Sequence, residues 1–266
     1  MIPIVDVHCH YLSGDKEALA NFKRLVASPE VCRIVVVALD LKLTYDPRLP
    51  FMSIFATTNE QLAEFIRKVD SPKLVPFCFA DPREPDAPKK TEYWLKQGGM
   101  RGVKLYPPSG WYPDDPRAVE ICKVAEACNV PVLMHMGRVA VHPQLRSKFA
   151  RPLYLEDIGL ACPNLKLIIG HFAAPWYREA AHIAMGFPNF YFDLTTSGSW
   201  DIEALRFVAD GEYLGLYRIV LGTDGDGNTN LRRAAETLQR LSDGGFTPAE
   251  VETIAQKNGL AVLGES

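Results

Sequence analysis

Two kinds of apolar pattern alternate along the chain. Short continuous apolar runs are separated by longer stretches in which apolar residues recur every three to four positions. The runs read as fully buried strands and the stretches as amphipathic helices. Strands are predicted over the first ten residues and over 33–39, 73–80, 102–106, 131–135, 165–171, 190–194 and 218–222. Helices are predicted over 15–26, 57–69, 90–97, 116–128, 153–162, 176–185, 200–210 and 230–241, with a last one over 248–256. Thr58-x-Glu60 opens the second helix as a cap region, and 40–50, rich in polar residues and Pro, reads as a loop. Eight strands, each followed by a helix, make the α/β pattern of a parallel sheet covered by helices, and eight such units close into one (β/α)8 TIM barrel. No linker or low-complexity segment interrupts the alternation, so a single domain over 1–266 is expected. A doubly wound open sheet is the rival, but no G-x-G-x-x-G follows the first strand to support it.

Composition narrows the partners. The 266 residues are 47% hydrophobic and 23% charged, as in an ordinary globular chain, and the net charge of −3 goes with a pI near 6.1. Without a basic patch interleaved with aromatics, nucleic acid is not an expected partner. The apolar run Ile34 to Leu39 falls far short of the roughly 20 residues of a membrane span, so no membrane partner is expected either. The N-terminus shows no positively charged region followed by an apolar one, so a cytoplasmic location is expected. The six cysteines form no C-x-x-C pair, which argues against a zinc ribbon or a dithiol redox site and for small buried hydrophobes. Cys9, between two histidines, points to the opposite face of its strand and is not counted as a ligand.

The chemistry collects at strand ends. His8 and His10, one residue apart, present two imidazoles on one face of the first strand. Lys104, His135, His171 and Asp224 end the fourth, fifth, sixth and eighth strands. In a barrel those ends converge on the face where catalysis occurs. The spacing fits repeats of about 30 residues. Four of the six histidines in the chain lie at these ends. Imidazoles with a carboxylate suit a divalent cation, which lowers the pKa of bound water toward about 7 and polarises a carbonyl. A histidine that is not a ligand can act as acid or base near neutral pH. Zinc is the expected ion, with manganese, iron or cobalt as alternatives.

Five segments carry a family likeness: Asp6-Val-His8-Cys-His10, Gly102-Val-Lys-Leu-Tyr-Pro107, Pro131-Val-Leu-Met-His135, Leu167-Ile-Ile-Gly-His171-Phe-Ala-Ala-Pro-Trp176 and Leu221-Gly-Thr-Asp224. Together with 151–176, 188–193 and 257–264 they resemble the amidohydrolase superfamily. More closely they resemble its branch of metal-dependent TIM-barrel hydrolases and aminocarboxymuconate-semialdehyde-decarboxylase-like enzymes. The resemblance spans the chain. It implies that His8, His10, His135 and Asp224 bind the metal, that His171 shuttles protons or binds a second ion, and that Asp224 also accepts a proton from water. Lys104 would bridge two ions if carboxylated, as in two-metal relatives. In the one-metal pattern expected here it is a substrate-carboxylate partner or a neighbouring cation. The chain departs from the branch after Asp224, where Gly225-Asp226-Gly227-Asn228 stands in place of an aromatic residue and Pro, and Asp226 is a rival polar contact.

Arg138, three residues past His135, is a candidate clamp for a substrate carboxylate, and Tyr106 a candidate substrate contact. His142, Trp111 and Trp176 read as loop or rim packing, and His182 as structural. The favoured expectation is hydrolysis of a small carboxylate-bearing or cyclic substrate, a lactone, amide or ester, in an enzyme that is a homodimer by default. The alternative on the same ring is nonoxidative decarboxylation of an aromatic or muconate-type acid. A barrel that keeps a metal for structure alone fits less well, because a structural zinc site closes its fourth position with protein ligands.

Overall fold

The structure, a computed structural model, describes residues 2–44, 56–139, 144–195, 200–212 and 214–265. His142, expected as loop or rim packing, lies outside them. The barrel strands are β1 (Ile4–His10), β2 (Val31–Val37), β5 (Leu74–Ala80), β6 (Val103–Leu105), β7 (Val132–Met134), β8 (Leu167–Ile169), β9 (Phe190–Asp193) and β10 (Ile219–Val220). They pair in that order in one parallel sheet. The ring closes where β1 meets the segment after β10: Val7 N donates to Leu221 O (2.9 Å), Asp224 N to His8 O (2.7 Å) and His10 N to Gly225 O (2.8 Å).

The outer layer comprises α1 (Ala18–Ala27), α2 (Asn59–Val69), α3 (Ala87–Lys96), α4 (Pro116–Ala127), α5 (Glu156–Ala161), α6 (Tyr177–Met185), α7 (Ile202–Ala209) and α8 (Asn230–Asp243). Two further helices, α9 (Pro248–Glu252) and α10 (Asn258–Leu263), are joined by one π turn. Among the described residues no helix is long and apolar enough to cross a membrane.

Two apolar layers result. Inside the barrel, Val5, Val7, Val35, Val37, Val75, Phe77, Leu133, Ile168 and Val220 pack together, joined by Val262 and Leu263 of α10. Between strands and helices lies a larger core that includes Phe22, Leu62, Phe65, Ile121, Phe172 and Phe192. Parity along β1 is broken by a bulge. Asp6 pairs with Ile34 and Cys9 with Val36, so Val7 and His8 together face Val35. The extra residue lets Val5 and Val7 fill the interior while His8 and His10, farther along the same strand, reach the site. Cys9 is fully buried in the helix-facing core, as its position between the histidines requires.

The structure differs from the sequence reading in places. The expected loop over 40–50 begins with a two-strand ribbon, β3 (Leu39–Asp40) antiparallel to β4 (Ala56–Thr57), and its remainder from 45 onward lies outside the described residues. Thr57 is thus in a strand, and α2 starts at Asn59. Its capping box joins Thr58 to Gln61 rather than to Glu60. The helix expected over 153–162 opens as a 3-10 turn, Pro152–Leu155, before α5. The sixth barrel strand stops at Ile169, because His171, Phe172 and Ala173 all adopt left-handed backbone angles (φ 55°, 54° and 51°) that end the ladder.

Phe192→Ala should cost about 3–5 kcal/mol in urea denaturation, whereas Leu160→Ala on the exposed face of α5 should stay within about 0.5 kcal/mol. Burial raises the thiol pKa values of Cys9, Cys78, Cys122 and Cys162, with Cys78 pushed up to about 12. A thiol reagent should reach only the half-buried Cys32 and Cys128 in the native protein, and all six after unfolding.

Candidate metal centre

The ends of the barrel strands bring His8, His10, Lys104, His135, His171 and Asp224 to one face. Ring closure does the decisive part. Asp224 follows β10 in a left-handed conformation (φ 52°), with its N–H on His8 O and its carbonyl capped by the Arg233 guanidinium, which also donates to Thr223 O (3.1 Å). Its carboxylate Oδ1 then lies 3.0 Å from His10 Nε2 and 3.7 Å from His8 Nε2. Two ligands bound tetrahedrally at about 2.1 Å are about 3.4 Å apart, so the 3.7 Å separation is near what one ion imposes, while the 3.0 Å one is a hydrogen bond that an ion would replace. Among the described residues, His8, His10 and Asp224 form the group whose ligand atoms all lie within 4.8 Å of one another.

His135 stands beside that group without joining it. Its ring centroid is 4.3 Å from that of His171 and 4.7 Å from that of Tyr106, and its buried Nε2 has no hydrogen-bond partner. A buried ring nitrogen left unpaired is costly, and a ligand would satisfy it. Lys104, 1% exposed, places Nζ 2.9 Å from His8 Nε2.

The protonation states suit ligation. Burial lowers the pKa of His8, His10 and His135, and takes His171 down to about 4. Burial also brings the Lys104 ammonium down to about 8. Asp224 goes the other way. Burial pushes its carboxyl up, but the His10 hydrogen bond and the neighbouring histidines outweigh this, and it is held well below the usual carboxylate range. Neutral imidazoles and an ionised carboxylate are the forms that bind a metal.

Two carboxylates that sequence reasoning left without a role complete the site. Asp193, fully buried at the end of β9, sets His8. Its Oδ2 is 2.8 Å from His8 Nδ1, and its Oδ1 accepts from His171 N (2.7 Å), Thr195 N (3.1 Å) and Thr195 Oγ1 (2.7 Å). An ionised carboxylate only accepts, so His8 carries its proton on Nδ1 and presents the Nε2 lone pair to the site. Asp6, on β1, accepts from His8 N (3.1 Å), Thr223 N (3.0 Å), Thr223 Oγ1 (2.6 Å) and Asn230 Nδ2 (2.8 Å), and so ties β1 to the segment after β10. Both were within reach of the sequence: Asp193 is a polar strand end, and Asp6 precedes the His-x-His pair. Thr195 and Arg233 carried no such signal.

The other candidates are dispersed. Tyr106 is half-buried against His135, and burial raises its phenol pKa. Arg138 is exposed on the loop after β7. Asp226 is no rival contact, since its Oδ1 accepts from Asn228 N, Thr229 N and Thr229 Oγ1 within its own turn. Trp111 is buried, Trp176 packs under the Arg151 guanidinium, and His182 is exposed on α6.

The family model described as Amidohydrolase matches residues 5–264. This chain belongs to the amidohydrolase family. It is accordingly an enzyme of that superfamily. Among curated protein sequences no match was found. Solved structures similar to this amidohydrolase include an uncharacterized TIM-barrel protein from Bordetella bronchiseptica (17% identity, TM-score 0.70, covering 99% of each chain). A second is a dihydroxybenzoic acid decarboxylase from Polaromonas with bound manganese and the inhibitor 2-nitroresorcinol (16% identity, TM-score 0.63, covering 99% of this chain and 97% of that one). A third is described as a probable 2-pyrone-4,6-dicarboxylic acid hydrolase, from Acinetobacter baumannii with citric acid bound (15% identity, TM-score 0.65, covering 99% of this chain and all of the other). At these identities the likeness establishes the shared (β/α)8 barrel.

Asp193→Asn should weaken divalent-metal affinity about 10- to 100-fold, read by competition with a chelator, because the new amide offers a donor where His8 needs an acceptor.

Proposed function

We propose that this amidohydrolase is a metal-dependent hydrolase of a small carboxylate-bearing or cyclic substrate of the lactone, amide or ester type. The observation that carries the reading is the His8–His10–Asp224 group, with its ligand atoms within 4.8 Å of one another on the catalytic face of the barrel. His8, His10, Asp224 and, through its unpaired Nε2, His135 would hold one divalent ion. Zinc suits three imidazoles and a carboxylate, and manganese is the ion recorded in the decarboxylase neighbour. Such an ion supplies Lewis acidity for the substrate carbonyl and the attacking water.

The chain's own residues handle the rest. Asp224, ionised, takes the proton of the attacking water on Oδ2, the oxygen opposite the one facing His10. His171 moves a proton through Nε2 to the leaving group. The Lys104 ammonium, buried beside His8, gives a substrate carboxylate a fixed positive charge, and a second ion would require its carboxylation instead. Tyr106, packed against His135, would contact the substrate, and Arg138, exposed on the loop after β7, would be its outer clamp.

A second reading uses the same ring for nonoxidative decarboxylation of an aromatic acid, with His171 delivering the proton that replaces carbon dioxide. The dihydroxybenzoic acid decarboxylase among the structural neighbours supports it. Free thiols at all six cysteines and the absence of a basic footprint support a cytoplasmic enzyme whose partner is a small molecule, and a homodimer is the assembly to be checked by sedimentation.

Protein purified without chelator should hold about one metal per chain by elemental analysis. Two per chain would instead point to a carboxylated Lys104. Turnover of a lactone, amide and benzoate panel in ¹⁸O-labelled water separates the readings. Label in the organic product supports hydrolysis, and carbon dioxide release with an unlabelled organic product supports decarboxylation. Asp224→Asn and His10→Ala should each lower kcat by at least about 100-fold, and full activity in either would remove the proposal.

A further inference from the structure

The buried hydroxyl of Thr195 lies among three groups of the site: its Oγ1 is 2.7 Å from Asp193 Oδ1, 3.0 Å from His171 Nδ1 and, at the long end, 3.4 Å from His8 Nδ1, whose own proton goes to Asp193 Oδ2 at 2.8 Å. Thr195 is fully buried, so no solvent competes for these bonds. The direction of each follows from counting protons. Asp193 Oδ1 already accepts from two backbone N–H groups, those of His171 and Thr195, which can only donate. An ionised carboxylate has no proton to give, so this oxygen also accepts from the hydroxyl, and the one proton of Thr195 is committed to it. The contact between Thr195 Oγ1 and His171 Nδ1 must then be made by a proton on the ring nitrogen.

We propose that Thr195 is a positioning residue that fixes the proton of neutral His171 on Nδ1, leaving Nε2 as the ring's proton-accepting atom. The assignment deepens the hydrolase reading and rests on it for its catalytic meaning. In the resting enzyme His171 cannot give a proton from Nε2 until it has first taken one there. The order of events is fixed: His171 first accepts on Nε2 the proton that Asp224 took from the attacking water, and then donates it to the leaving group. Asp193 thereby sets both imidazoles through one carboxylate, His8 directly and His171 through the threonine. The left-handed backbone at His171 (φ 55°) belongs to the same device, since it directs the His171 N–H onto Asp193.

The test is a long-range ¹H–¹⁵N correlation spectrum of the full chain with labelled histidine, recorded metal-free and zinc-loaded, with a His171→Gln sample to assign the ring. Wild type should show a protonated, pyrrole-type Nδ1 and a pyridine-type Nε2. Thr195→Ser should keep that pattern. Thr195→Val, which keeps the shape and removes the hydroxyl, should shift the ring toward the other tautomer and lower kcat about 10- to 100-fold with KM little changed, at a wild-type circular dichroism spectrum. A pyridine-type Nδ1 in wild type overturns the proposal, as does an unchanged tautomer in a folded Thr195→Val. If the valine variant does not fold, the wild-type and serine spectra decide alone. The spectrum needs neither metal nor turnover. A wild type with the stated tautomer that hydrolyses none of the panel leaves this assignment standing and removes the hydrolase reading.

Discussion

Everything at the catalytic face depends on how the barrel closes. The joint between β1 and the segment after β10 has few ladder hydrogen bonds, and the buried Asp6 carboxylate supplies the rest by accepting from His8, Thr223 and Asn230. A carboxylate stripped of water is expensive unless its lone pairs are filled, and here they are filled only when the two ends of the chain are in register. Closing the ring and bringing His8 and His10 opposite Asp224 are therefore one event.

Burial then sets the chemistry. Four imidazoles and a lysine taken out of water all lose affinity for protons, while Asp193 and Asp224, surrounded by donors, keep their negative charge. Neutral imidazoles beside ionised carboxylates are the protonation states that suit a divalent cation in place of a proton. The same low dielectric that makes unpaired groups costly makes the direction of each hydrogen bond matter.

Much of this was legible in the sequence. The alternation of apolar runs and helical periods gave the barrel, and polar residues at strand ends gave His8, His10, Lys104, His135, His171 and Asp224. What was not legible came from geometry that periodicity does not encode. The bulge in β1 adds one residue to the strand, and an alternating pattern cannot show that Val7 and His8 share a partner. The three left-handed residues after Ile169 carry side chains with no sign of such a conformation. Arg233 looks like any exposed helix residue, yet it holds the carbonyl of Asp224, because nine residues of turn and helix return it to the strand end.

The C-terminal helix α10 carries a consequence for how the molecule is made. Val262 and Leu263 share the apolar cluster inside the barrel with Val5 and Val7, so the interior joins segments that lie far apart in sequence. Without α10 the strands surround an incomplete centre, and the histidines of β1 lack their carboxylate until the segment after β10 pairs beside them. A fragment that stops short of Asp224 therefore holds no assembled ion site.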